Sequence, residues 1–302
     1  MKTFTWIALF LAFGVVVLGA YTRLTDAGLG CPDWPGCYGK PIVPQINAID
    51  SGKAWTEMIH RYLAGSLGIF ILINFIFSRS KLSFCLFLLV IFQALLGMWT
   101  VTKKLHPPIV MAHLLGGMVT MGLLAFIAFK HSFVQKILVS PKLWSTVFFG
   151  LVLIGFQIAF GGWVSSNYAA LVCPDFPTCL GNLFPNMDWN AFFIPYDTSL
   201  NYEGGILNHT ARVTIHMVHR FGAYAVVVYW FCLLVFLFRQ KQAILIQAGV
   251  LVLMALIFQF LLGVLNVFTK LPLFLAVAHN AGAALLLISV IHLNYRLNSR
   301  KT

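Results

Sequence analysis

Eight times along this chain an apolar run recurs that is long enough to cross a bilayer, a span that takes about 20 helical residues. The runs cover residues 4–21, 55–77, 82–101, 108–129, 143–164, 211–238, 243–267 and 273–294. Composition agrees with them: 60% of the 302 residues are hydrophobic and 9% are charged, whereas a soluble domain is about a quarter charged. The expected fold is an all-α integral membrane protein with eight transmembrane helices.

The net charge of +12 invites a nucleic-acid reading, which the placement of charge rejects. All eight acidic residues (Asp26, Asp33, Asp50, Glu57, Asp175, Asp188, Asp197 and Glu203) fall on one side of the expected membrane. The opposite side carries Lys2, Arg79, Lys81, Lys130, Lys136, Lys142, Arg239, Lys241, Arg296, Arg300 and Lys301, and no acid. The positive-inside rule makes that basic side cytoplasmic, with both termini on it. The first run is long for a signal peptide and has a counterpart later in the chain, so it is kept as a helix. No Arg-rich, Ser-rich segment precedes it, which points to a bacterial cytoplasmic (inner) membrane rather than an organelle. Membrane lipid is then the chain's solvent, and no nucleic-acid partner is expected.

The chain repeats itself. Cys31-Pro32-Asp33-Trp34-Pro35-Gly36-Cys37-Tyr38-Gly39 returns as Cys173-Pro174-Asp175-Phe176-Pro177-Thr178-Cys179-Leu180-Gly181, with six of nine residues identical at an offset of 142. Upstream, Gly19-Ala20-Tyr21 aligns with Gly161-Gly162-Trp163. At an offset of 166, Phe92-Gln93-Ala94-Leu95-Leu96-Gly97 matches Phe258-Gln259-Phe260-Leu261-Leu262-Gly263, and His113 matches His279. A longer second outer loop absorbs the difference. Four spans per repeat, an even number, leave both halves facing the same way. The expected architecture is two tandem four-helix bundles, residues 1–140 and 141–302, related by a pseudo-two-fold axis along the membrane normal.

A histidine in an apolar helix is costly without a partner. His60 and His113 lie near the outer ends of the second and fourth spans, and His219 and His279 repeat this in the sixth and eighth. Paired imidazoles at matched depth suit axial ligation of haem iron between helices; zinc would want a third or fourth ligand. The bland reading of each is a hydrogen-bonded core residue. Glu57 stands one turn before His60, where His216 occupies the matching place before His219. A carboxylate there is suited to moving protons or positioning water, against the plainer role of a solvated acid at a helix start. Arg61 and Arg220, next to their histidines, are candidates for haem propionates or for snorkelling to the interface. Cys31, Cys37, Cys173 and Cys179 face the oxidising side, where each pair either closes a disulfide hairpin or stays as thiols. Cys85 and Cys232 read as packing residues.

Taken together, several stretches resemble the haem A synthase family, bacterial type. They are Thr22-Arg23-Leu24-Thr25-Asp26 leading into the first cysteine pair, Glu57-Met58-Ile59-His60-Arg61, Asn167-Tyr168-Ala169-Ala170, Tyr202-Glu203-Gly204-Gly205 and His216-Met217-Val218-His219-Arg220. The resemblance runs through nearly the whole chain. It implies an oxidoreductase that converts the C8 methyl of haem O into the formyl group of haem A by successive hydroxylations, with water supplying the oxygen. Carried over position by position, it implies that His60 and His113 bracket the substrate haem, with Arg61 beside it and Glu57 as catalytic carboxylate. His219 and His279, with Arg220, would hold a haem B cofactor. The resemblance also implies partnership with the farnesyl-transferring haem O synthase; assembly into a homo-oligomer stays open. His216 stands where some family members have glutamine.

Two other functions compete. A bis-histidine di-haem cytochrome that only transfers electrons needs the same four histidines, but it gives no reason for Glu57 in one half alone. A transporter suits a parallel repeat, yet favours helices broken near the midplane, and the glycines and prolines here gather at span ends.

Overall fold

The computed structural model describes residues 2–45, 50–132 and 134–299. Its helices are α1 (Lys2–Leu24), α2 (Ser51–Ser78), α3 (Lys81–Thr102), α4 (Pro107–Lys130), α5 (Pro141–Ser166), α6 (His209–Arg239), α7 (Ala243–Phe268) and α8 (Leu273–Arg296). All eight are long and apolar enough to cross a membrane.

Most helices begin before their apolar run because polar residues cap them first. Side chains of Asp50, Ser80, Ser140 and Asn208 accept from the backbone N–H three residues on, at 3.1, 3.1, 3.2 and 2.8 Å, satisfying one of the donors that a helix start leaves open. Pro107 and Pro108 open α4 and Pro141 opens α5, positions where a missing N–H removes no helical bond.

Helix contacts follow the repeat. In the first half α1 and α3 each pack against α2 and α4; in the second, α5 and α7 each pack against α6 and α8. The halves meet through α1–α8, α4–α5 and α4–α8. One buried core runs through both halves and includes Ala8 and Ala12 of α1, Met121, Leu124, Ala125 and Ala128 of α4, Val147 and Ile154 of α5, and Ala284 and Val290 of α8. Small side chains here let helices approach closely, which is the main source of cohesion where lipid is as apolar as the core.

Large apolar side chains such as Phe10, Phe77, Phe231 and Phe274 point outward, as a lipid-facing surface requires. Cys85 and Cys232, expected to be packing residues, are exposed on this surface instead. They fall on the outward stripes of α3 and α6, where a thiol behaves as a small apolar group.

At the basic end, β1 (Ile137–Val139) pairs in parallel with β2 (Leu297–Ser299), a two-stranded exception to the all-α expectation. It ties the connection between the halves to the chain just after α8. Arg300 and Lys301, counted above on the basic side, lie outside the described residues. The other end carries the two long loops and the histidines.

Candidate functional site

Each long loop holds a disulfide hairpin. Cys31 is bonded to Cys37 and Cys173 to Cys179, with Cα atoms 4.8 and 4.6 Å apart. Within each hairpin an aspartate caps the turn. Asp33 accepts from the N–H groups of Tyr38 and Gly39, both at 2.6 Å. Asp175 accepts from Leu180 at 2.7 Å and Gly181 at 2.9 Å, and from the Thr178 hydroxyl. The hydroxyl and backbone donors hold the Asp175 carboxyl down at about 2, as several hydrogen bonds to the charged form do.

The two arginines act on these hairpins, a role that neither reading of them foresaw. Arg61 donates to the carbonyls of Asp33 at 2.9 Å and Gly36 at 2.6 Å. Arg220 donates to the matching carbonyls of Asp175 at 2.8 Å and Thr178 at 2.6 Å. Both guanidinium groups therefore pin a loop onto the helix that carries a histidine. The second amino group of each marks the asymmetry. In Arg61 it donates to Glu57 Oε1, and in Arg220 to the Cys173 carbonyl at 3.0 Å.

A bond from guanidinium to carbonyl contributes about 1.5–3 kcal/mol. Arg220→Ala should therefore let the second hairpin open more readily, with amide exchange at Leu180 and Gly181 at least about tenfold faster, since 1.4 kcal/mol is a factor of ten. Exchange rates equal to those of the unsubstituted chain would remove the arginine from this role.

Glu57 is not the solvated helix-start acid of the plainer reading. Its residue exposure is 4%, and it is the only buried Asp or Glu among the described residues. Besides Arg61, its Oε2 accepts from the Cys31 N–H at 2.8 Å. The carboxylate thus joins α2 to the first disulfide. His216, the matching residue, is also buried, and its Nδ1 lies 2.8 Å from the Ala169 carbonyl.

The four histidines share one local design. Each ring lies against a glycine of the preceding helix. A Cβ at Gly19 would meet His60 Cε1 at 3.0 Å, and at Gly97 it would meet His113 Cε1 at 3.3 Å. At Gly161 and Gly263 it would meet the same atom of His219 and His279, each at 3.1 Å. A side chain at any of these positions would press on the imidazole, which would have to give by a few tenths of an ångström. His60 and His113 are close enough to interact electrostatically, as are His219 and His279, so the structure brings together the pairs expected from the repeat. No group of three His, Cys, Asp or Glu side chains placed to hold a metal ion occurs among the described residues.

Three glutamines escaped the sequence reading as site residues. Gln93, Gln157 and Gln259 each reach the histidine opposite; the repeated Phe-Gln string was their one signal. Other repeated motifs find a place at the seam between halves. Arg23 donates to the Ser165 carbonyl at 2.7 Å and stacks on the Tyr168 ring at 4.0 Å, while the Tyr168 hydroxyl donates to Asp26 at 3.1 Å. Tyr202 is buried beside His106, their rings 4.9 Å apart. Burial keeps the His106 imidazole below its usual value.

Haem is tested against these residues by its axial ligand positions. The rings are half-buried, cradled on glycine, and the Nδ1 atoms of His60 and His279 are buried with no hydrogen-bond partner. A bare ring nitrogen within a membrane needs a partner, and each histidine pair would offer haem iron one nitrogen from each ring. The residues fit the group.

Fold and site together define a polytopic membrane protein with two intramembrane histidine pairs under disulfide-closed hairpins. The chain belongs to the cytochrome oxidase assembly protein family (COX15-CtaA), whose family model matches residues 2–291. A "Heme A synthase" of Shewanella oneidensis is 43% identical over 97% of this chain and 96% of its own length. Proteins of the same name from Caulobacter sp. and Flavobacterium psychrophilum are 27% and 28% identical, over 95% and 96% of this chain and 93% and 95% of theirs.

Proposed function

We propose that this protein is a haem A synthase: an oxidoreductase that takes haem O as substrate and oxidises its C8 methyl to a formyl group by successive hydroxylations. The observation that carries the reading is the asymmetry between two otherwise matched sites, Glu57 with Arg61 in one half against His216 with Arg220 in the other.

Residues 1–140 form the substrate half, with His60 and His113 bracketing the haem O iron. Residues 141–302 form the cofactor half, with His219 and His279 on haem B, and the halves are related by an axis along the membrane normal. Haem B, when bound, supplies one-electron chemistry next to the substrate site. The chain's own residues do the rest. His60 and His113 orient the substrate, and the glycines facing them set how far each ring stands from its helix. A methyl that becomes a formyl with a water oxygen must release electrons to an external one-electron acceptor and protons to a base, and Glu57 offers a carboxylate three residues from His60 to receive a proton at Oε1 or Oε2. Arg61 and the Cys31 N–H hold that carboxylate in place, and the hairpin above it keeps bulk water from the reacting carbon. Both termini lie on the cytoplasmic side of a bacterial inner membrane, so the site opens toward the outer face. Haem O synthase is the partner that supplies the substrate.

The glycine cradle gives a test with an internal control. Gly161→Val should displace the His219 ring and remove the haem B absorbance of the purified protein. Gly155→Val, on the same helix with no atom within 4 Å of the added carbon, should keep it. Equal spectra from the two variants would contradict the assignment of His219. The activity itself is tested by expressing the chain in cells that make haem O and lack another synthase; haem A in the membrane extract is the expected outcome, and its absence overturns the reading.

A further inference from the structure

A haem set between membrane helices carries two propionate carboxylates, which are costly in a bilayer unless they meet a cation. Arg61 and Arg220 are turned to the hairpins instead. Of the other cations at the outer end, Arg23 donates to the Ser165 carbonyl, Lys104 donates to the Thr198 carbonyl at 3.4 Å, and Lys103 lies over the Tyr196 ring at 4.8 Å. Lys40 and Lys270 are exposed. Two remain, Lys53 and Arg212, and both are half-buried. Neither side chain makes a hydrogen bond or ion pair among the described residues. Arg212 Nε is buried with no partner; Arg23 and Arg220 share that bare atom, but their amino groups are bonded.

The two form a matched set. The offset of 159 that carries Glu57-Met58-Ile59-His60-Arg61 onto His216-Met217-Val218-His219-Arg220 also carries Lys53 onto Arg212. Each stands seven residues before its histidine. Seven residues bring a helix back to within about 20° of the same direction and raise it about 10.5 Å. Each cation therefore shares the histidine's face, two turns nearer the outer surface, a separation comparable to that between a haem iron and its propionate carboxylates. Both also stand where positive charge is disfavoured. Lys53 is the third residue of α2 and Arg212 the fourth of α6, and neither first turn holds an acid. The field of a helix start repels a cation and attracts an anion, so a carboxylate beside these side chains gains from both charges at once.

We propose that Arg212 receives a propionate of the second-half haem and Lys53 a propionate of the first-half haem. The inference rests on the haem-ligand reading above. It gives the repeated cation a use that neither the hairpins nor the histidines supply.

The test compares haem B with its dimethyl ester, which lacks the carboxylate charges and leaves the iron unchanged. Each is added to the full-length protein purified from haem-starved cells, on a His60→Ala background so that only the second-half pair binds, and its transfer to excess apomyoglobin is timed. With Arg212 present the ester should leave about tenfold faster or more, as expected for loss of a hydrogen bond between charged groups. In Arg212→Gln the gap between acid and ester should close, and in Arg212→Lys most of it should remain. A gap of undiminished size in Arg212→Gln would overturn the assignment, because a general loosening of the bundle speeds both haems alike. His219→Ala separates the two levels of the argument. If it keeps a bis-imidazole spectrum, the ligand reading fails; if it loses that spectrum while Arg212→Gln keeps the gap, only the propionate assignment fails. For the first half, Lys53→Gln purified from cells that make haem O should hold about tenfold less haem O and haem A, with haem B unchanged, and Lys53→Arg should restore them. Undiminished haem O and haem A in Lys53→Gln, or no recovery in Lys53→Arg, would refute the role of Lys53.

Discussion

Glu57→Gln should abolish haem A formation while leaving the second-half haem spectrum intact. The choice of glutamine follows from what the carboxylate touches. Glutamine keeps an acceptor for the Cys31 N–H and nearly the same volume, but it can neither take a proton from the substrate side nor neutralise Arg61. Loss of a group that receives a proton during reaction lowers the rate by about 10²–10⁴. Glu57→Ala is a weaker experiment, because it removes the acceptor of the Cys31 N–H and leaves a void, as well as the counter-charge of a guanidinium whose side-chain exposure is 13%. Breaking a buried pair in this way costs about 3–5 kcal/mol and would loosen the first hairpin. Haem A output from Glu57→Gln at the unsubstituted level would refute the catalytic assignment whatever Glu57→Ala does.

The second large effect belongs to the other half. His219→Ala and His279→Ala should each remove the bis-imidazole haem B spectrum, because a single remaining imidazole cannot supply both iron bonds. His60→Ala and His113→Ala should keep that absorbance and lose bound substrate haem instead. The division follows from the contacts: His219 lies on Gly161 and His279 on Gly263, both in the second half, while His60 lies on Gly19 and His113 on Gly97, both in the first. A haem B spectrum retained in His219→Ala or His279→Ala would count against those ligands. Its loss in His60→Ala would contradict the separation of sites.

Much of this arrangement is legible in the sequence because membrane helices are written in composition. Apolar length placed all eight helices, since lipid leaves little else for such runs to become, and the fixed offsets of 142 and 166 aligned the histidines before any geometry was known. Helix starts were less legible. α2 begins at Ser51 rather than at residue 55 because Asp50, a polar cap, is invisible to a hydropathy argument. The loop contacts of the arginines were hidden for a different reason. Position beside a histidine says nothing of which way a long side chain turns, and the loop carbonyls that capture Arg61 and Arg220 lie about 25 to 45 residues away in sequence. The glutamines were half visible: Gln93 and Gln259 stood in a repeated string, yet the space each fills depends on a glycine in the neighbouring helix, Gly116 or Gly282, a pairing that only packing reveals.

The most direct test of the central claim is the haem content of the protein itself. The chain is purified from cells that make haem O, its haems are extracted under acid, and they are separated by chromatography. Haem B together with haem O or haem A is the expected result, one species for each pair of histidines. Haem B alone, at two equivalents per chain, would contradict it and leave a di-haem cytochrome that only passes electrons.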